Sequence, residues 1–504
     1  MNFRPVRVLL AANLLLLAAA SSAVERVLVD HAHVTSLAQA LASRPYVDAA
    51  ATAPDFFRGL NYDTYRKIAF RPEKSLWRET GLRFQLQFFH PGYLFNRMVR
   101  LNEFTATHSQ AIPFSPDFFD YRDLDVPLLS RRGLDFAGFR LVHPLNRQET
   151  WDEVISFLGA NHYRGLGRNH AYGASSRGLA LHTGTPAEEF PNFTEYWVRK
   201  PDPDANTITV HALLDGPSVS GAYTFVITPG DETVVDTRAT LFFRQEADMP
   251  GFVPVSSMFW FGEESPTRFG DFRPEVHDSD GLLVAPDPTS RIWRPLRNPP
   301  AISYSDFDTP QFAGFGLLQR DRDYRSYEDM VASYERRPGV WMEPVGAWPP
   351  GRVRLVEAPA TNEHHDNITA YWSPKEKIPP GHPFELSWKQ RWTSAPTFGG
   401  PPGWVSATRH TLHDGAPDRT KYVIDYDVGS LAHLPAEASV TADVSVTGIA
   451  QVQHAQVFRN MANGARRLVI VLSAPVGSLA VDVRARLMLD QQPISETWTM
   501  PWQP

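Results

Sequence analysis

The sequence predicts an all-β protein: a large β-domain followed by a smaller immunoglobulin-like β-sandwich. Three observations carry this. Short runs such as "FQLQFF", "TITVHALL", "AYTFVITP", "TRATLFF" and "NITAYW" stand between turn residues, and their β-rich, often alternating make-up fits strands on a sheet. The 43 Pro and 32 Gly are spread along the chain, as many short strands with many reversals require. Beyond residue 384 come "FELSWKQRW", "GWVSATRHTL", "KYVIDYDV", "ASVTADVSV", "AQVQHAQVF", "RRLVIVLSA" and "VDVRARLML". That count and spacing match an immunoglobulin-like sandwich.

Taken in order, residues 1–23 read as an export signal. Arg4 and Arg7 form a positive start, "VLLAANLLLLAAA" an apolar middle, and Ser21 and Ala23 a small-residue cleavage site before Val24. The arginines are not adjacent, so this is no twin-arginine signal. The apolar run falls short of the ~20 residues of a membrane span, so no stable span is expected after cleavage. Losing Arg4 and Arg7 takes the formal charge from −7 to −9. No Lys/Arg-rich run exists, which argues against a nucleic-acid partner. With no cysteine, the exported chain has neither disulfides nor thiolate zinc sites. Helical periodicity is confined to residues 34–43, 54–68 and 326–335. The turn-rich "EKIPPGHP" (376–383) separates a β-domain over 24–380 from the small sandwich over 384–504.

The 13 Trp, 16 Tyr and 31 Phe are expected mainly in cores. Several lie beside charge, as in "SMFWFGEE", "EEFPNFTEYW", "RIWRPL" and "HHDNITAYW". Sugar clefts need that mixture: flat rings cover pyranose C–H faces while charged groups bind hydroxyls. The stretch "DFRPEVHDSDGLLV" (271–284) alternates Phe272, Pro274 and Val276 with Arg273, Glu275 and His277, then adds Asp278 and Asp280 before Gly281. Three uses are open: a metal site, an acid/base pair, or an Asp-Gly turn with solvated carboxylates. A calcium loop fails at both ends, because Val276 and Asp287 stand at its first and twelfth positions. No metal and no other cofactor is expected. Nucleophile-elbow, P-loop and dinucleotide fingerprints are absent from the sequence.

Longer motifs carry a resemblance. "YRGLGRNHAYGASSRGLAL", "EEFPNFTEYW", "SMFWFGEE", "DFRPEVHDSDGL", "IWRPLRNPP", "RLVEAPATNEHHDNITAYW" and "KYVIDYDVG" resemble, in the same order, the periplasmic osmoregulated glucan biosynthesis proteins of the G and D type. The resemblance implies a galactose-mutarotase-like N-terminal β-sandwich and an immunoglobulin-like C-terminal one. It also implies a periplasmic location and anomer-inverting action on β-1,2-glucan. By the same resemblance the acid is Asp366 of the "DNI" motif, and the base is Asp278 or Asp280, with Asp278 favoured. Candidate glucan-binding residues within these motifs are Tyr163, Arg164, Tyr172, Arg177, Glu188, Glu189, Trp260, Trp293 and Trp372, with Arg273, Glu275 and His277. A glucan synthase is the candidate protein partner. The chain departs from the family at Asn161, His162 and Gly165, at Trp260, and at His364 and His365 beside Asp366. These departures bear on the acceptor: water for hydrolysis, or a sugar hydroxyl for transglycosylation or cyclisation. A non-catalytic glucan-binding or scaffolding protein is the alternative.

Overall fold

The computed structural model describes residues 28–48, 52–265, 269–431, 433–435 and 437–503. The expected export signal lies outside these residues. The fold is all-β and built from packed sheets, as expected. A ten-stranded sheet and part of a fifteen-stranded sheet face each other across one large core. Phe157 and Tyr163 of the first sheet meet Phe225 of the second at 5.3 and 5.2 Å between ring centroids. The rest of the fifteen-stranded sheet packs on a four-stranded sheet around a second core.

Three strands wall both cores. In Gly281–Ala285, Leu282 and Val284 enter the large core while Leu283 and Ala285 enter the second. Gly314–Leu318 and Gly339–Val345 divide likewise: Leu317, Val340 and Met342 on one side, Leu318 and Trp341 on the other. Such strands are covered on both faces, so "GLLV" and "GFGLL" are unbroken apolar runs. The strand Ile292–Pro295 pairs in parallel with Thr497–Trp502, extending the sheet into the chain's last strands.

Two local expectations are revised. "FELSWKQRW" was expected as the first strand of the small sandwich, but Pro383–Thr393 lies between Thr233–Phe243 and Gly339–Val345. Its Trp388 and Trp392 fill the large core, and truncating a buried Trp typically costs about 3–5 kcal/mol. The segment 326–335 is not a helix. Two 3-10 turns, Tyr324–Ser326 and Tyr334–Arg336, flank a loop in which Glu328 and Ser333 take φ of 52° and 48°. Left-handed backbone at two non-glycine positions breaks an α-helix. The other helical expectations hold in part, as His31–Ala42 and the single turns Asp55–Arg58 and Tyr62–Tyr65. Val34 and Ala38 of the long helix pack on Leu213 and Ala222, on the outer face of the large sheet. Among the described residues no helix is long and apolar enough to cross a membrane.

Candidate active site

The charged stretch folds unlike an alternating strand. Within 271–280 only Val276–His277 is strand, paired antiparallel to Phe259–Phe261. Phe272 is 78% exposed, whereas Arg273, Glu275, His277 and Asp278 are buried. Charge goes inside because it is paired, the condition on which burial is tolerable. Arg273 binds Asp271 (2.7 Å), Asp329 (2.8 Å) and Glu363 (2.6 Å), joining three loops.

Asp278 and Asp366 are brought together by the segment Met258–Phe259. The Asp278 N–H donates to the Met258 carbonyl (2.8 Å). On the other side, the Asn367 side chain accepts the Phe259 N–H (2.9 Å) and donates to the Phe259 carbonyl (3.0 Å). Asp278 pairs with Arg337, whose guanidinium lies 4.1 Å over the Tyr334 ring. The Tyr334 hydroxyl donates to Glu363, which returns the chain of contacts to Arg273. Burial opposes ionisation of Glu363, but Tyr334 and Arg273 outweigh it and hold the carboxyl below its ordinary value. Burial pushes Asp278 up to about 6; Arg337 pulls against this, and the nearby Asp366 charge adds to the rise. Asp366 is exposed as a residue. Its carboxyl is nonetheless raised by the protein around it, with Arg164, Arg177 and Arg337 opposing.

A groove of about 420 Å³ leads away from Arg337, lined by Asn146, Glu153, His170, Tyr172 and Val331. Tyr172, 46% exposed, carries the Arg164 guanidinium 4.2 Å over its ring. Its hydroxyl donates to Glu153 (2.9 Å). Arg177 stacks 4.8 Å over Phe190. Burial lowers its pKa, and Glu188 and Asp366 counter that, so Glu188 also faces the arginine group. The groove is open, polar and edged by rings, as a saccharide chain requires.

Several candidate binding residues lie elsewhere. Tyr163 and Trp372 are fully buried in the large core, bonded to Gln390 and Thr309. Trp293 lies in the second core beneath the Arg320 guanidinium, 3.4 Å away. Glu189 is spent on the Ser218 N–H (3.0 Å) and hydroxyl (2.6 Å). Trp260 stacks on Phe269 (5.3 Å) over a pocket shared with His410 and Tyr422 of the small sandwich. None of these five lines the groove beside Arg337. Glu275, His277 and Asp280 turn away from Asp278: the His277 ring meets Glu275 at 2.9 Å, and Asp280 accepts the N–H groups of Arg320 (2.6 Å) and Asp321 (3.1 Å). Sequence reasoning missed Arg337, Tyr334 and Glu363. Their only signal is charge beside aromatic residues in "SYERRPGVW" and "TNEHHD".

The family departures have local structural reasons. Asn161 is buried and donates to the carbonyls of Leu179 (3.1 Å) and Pro191 (2.7 Å). A Cβ at Gly165 would stand 2.6 Å from the Trp392 ring, so the close packing of that Trp needs glycine. Burial, together with Arg164 and Arg177, depresses His162 to about 3, leaving a neutral ring beside the arginines.

The profile of the MdoG family, described as periplasmic glucan biosynthesis protein, matches residues 29–502. The chain belongs to this family. It is 39% identical to glucans biosynthesis protein G of Ralstonia nicotianae over 97% of this chain and 98% of that one. It is 40% identical to glucans biosynthesis protein G 1 of Shewanella oneidensis, over 94% and 87%. In this chain Asp278 is paired with Arg337 and lies near Asp366, and the family's periplasmic description is consistent with the export signal read at the N-terminus.

Proposed function

We propose that this MdoG-family protein is a periplasmic enzyme that acts on β-1,2-glucan by an anomer-inverting mechanism, as an endo-glucanase or as a transglycosylase. One observation carries the reading: two carboxyls, Asp278 and Asp366, share one arginine-lined site yet are held differently. Asp278 is locked onto Arg337 and ionised near neutral pH, which suits a base. Asp366 is the exposed one of the two, so it is the one placed to hand a proton to the leaving oxygen; burial raises its carboxyl from the ordinary value, as it does that of Asp278. A bound glucan would dry the site and favour that proton further.

In a single displacement, Asp366 protonates the glycosidic oxygen as the bond breaks. A water or sugar hydroxyl, deprotonated by way of Asp278, attacks the anomeric carbon from the opposite face. Arg337 holds Asp278 ionised, while Arg164, Arg177 and the Tyr172 ring position the chain. The test is incubation of the purified mature protein with linear β-1,2-glucan, with products separated by chromatography. Shorter or cyclic products whose new anomeric centre is α support the reading. Retained β configuration removes the inverting mechanism, and binding without turnover removes the enzyme.

A further inference from the structure

Behind the Asp278 wall, a second set of carboxylates meets where the large sandwich abuts the small one. Glu263 follows the strand Phe259–Phe261, Glu275 precedes Val276–His277, and Asp321 lies beyond Gly314–Leu318. One ligand atom from each of Glu263, Glu275 and Asp321 lies within 4.8 Å of the others. Glu275 also belongs to a second such group, with His277 and Asp280. Glu264 lines the same crevice as Glu263, Asp280 and Asp321. It is 8% exposed, and its Oε1 has no hydrogen-bond partner.

The neighbouring arginines are engaged elsewhere, while the His277 ring meets one oxygen of Glu275 (2.9 Å). Arg320 turns its guanidinium to Glu496 (2.7 Å). Arg322 donates to the carbonyls of Glu335 (3.2 Å) and Arg337 (2.6 Å), and Arg409 pairs with Asp425 (3.3 Å). Carboxylates withdrawn from water must be paired, protonated or ligated.

We propose that Glu263, Glu275 and Asp321 hold a divalent cation of the oxygen-preferring class, Ca²⁺, Mg²⁺ or Mn²⁺, at the junction of the two sandwiches. Oxygen ligands at about 2.3–2.6 Å from one Ca²⁺ can stand no more than about 5 Å apart, and the three donors fall inside that limit. A donor set of carboxylates without thiols selects hard cations, and Glu264, whose Oε1 has no partner, lines the same crevice. The absence of a metal was expected because the loop 276–287 fails as a calcium loop; the donors here come instead from three separate segments. The Oε1 of Glu263 accepts the Thr408 N–H of the small sandwich (2.8 Å), and Asp321 is next to Arg320, whose ion pair with Glu496 reaches the last strand region. A cation here ties the two sandwiches together directly behind Asp278.

The proposal is independent of the glucan reading, because its test requires no substrate. The mature protein is stripped with chelator, dialysed, and titrated with Mn²⁺ under electron paramagnetic resonance. Tm is then recorded with and without Ca²⁺ or Mn²⁺, and Mn²⁺-soaked crystals are examined by anomalous diffraction. Expected are stoichiometric binding, competition by Ca²⁺, a cation-dependent rise in Tm, and an anomalous peak between Glu263, Glu275 and Asp321. Glu263→Gln and Asp321→Asn should lose the binding and the Tm response. The wild-type arms stand even if those variants fail to fold. No Mn²⁺ binding at millimolar concentration with an unchanged Tm overturns the proposal and leaves carboxyls that share protons. An anomalous peak elsewhere, or binding that survives both substitutions, also overturns it.

Discussion

Asp278 and Asp280 are two positions apart and live in different chemistries. Asp278 faces the arginine-lined cleft through Arg337. Asp280 faces away, onto the N–H groups of Arg320 and Asp321 and toward His277 at 3.5 Å. In a regular strand, residues i and i+2 share a face. Here the strand stops at His277, and the break at 278–280 puts Asp280 with Glu275 and His277 and leaves Asp278 on the other side. A dense charged motif can thus serve two sites, and spacing alone does not assign its members.

The comparison breaks first at the cleft. Asp366→Asn and Asp278→Asn keep shape and remove the proton-transfer groups, so each should lower turnover on β-1,2-glucan by about 10²–10⁴-fold. Glucan retention on an affinity column should survive, because the arginines and rings remain. A fully active Asp366→Asn protein would withdraw the acid assignment.

The other side is tested through the junction. Arg320 and Glu496 are each 2% exposed at the side chain and joined at 2.7 and 3.0 Å. Arg320→Met leaves a buried, unpaired carboxylate, and breaking such a pair typically costs about 3–5 kcal/mol. Denaturant melts should show that loss. A loss below about 1 kcal/mol would mean that the strands sharing both cores hold the junction without the ion pair.

The fold was legible because its signals are local. Period-two runs and scattered turn formers report strands wherever they occur, and in the structure the unbroken apolar "GLLVA" is covered on both faces. "FELSWKQRW" looked like its neighbours downstream, but whether a strand joins one sheet or the next is fixed by partners such as Thr233–Phe243, far away in sequence. At the site, Asp278 and Asp366 were reached through the family motifs. Arg337 was not, because an arginine in a loop carries no mark of the carboxylate it will meet. Trp372 and Tyr163 misled for the converse reason: an aromatic residue beside charge in sequence can still turn inward, as both do.

Arg337 sharpens the comparison through pH. A base acts only when ionised, so activity should fall as pH drops through the Asp278 value of about 6. Arg337 favours the carboxylate, so Arg337→Met should move the acid limb of kcat/KM to higher pH and lower activity most below neutrality. An unmoved limb would detach Asp278 from the pH dependence.

Asp280→Asn should have the smallest effect on turnover. Its carboxyl accepts two backbone N–H groups and faces the acidic crevice, and no contact links it to Arg337 or Asp366. The substituted amide keeps one acceptor oxygen, and the group lost is an acceptor buried behind the wall. Turnover should therefore change by less than about tenfold, well short of a proton-transfer role. Stability should fall by about 1–3 kcal/mol, the usual penalty for a disrupted buried hydrogen bond. Rates and melts measured in parallel with Asp278→Asn decide between the two aspartates. If Asp280→Asn keeps its stability and loses turnover as deeply as Asp278→Asn, the base belongs on the other side of the wall, and the cleft marked by Arg337 positions the substrate and does no more.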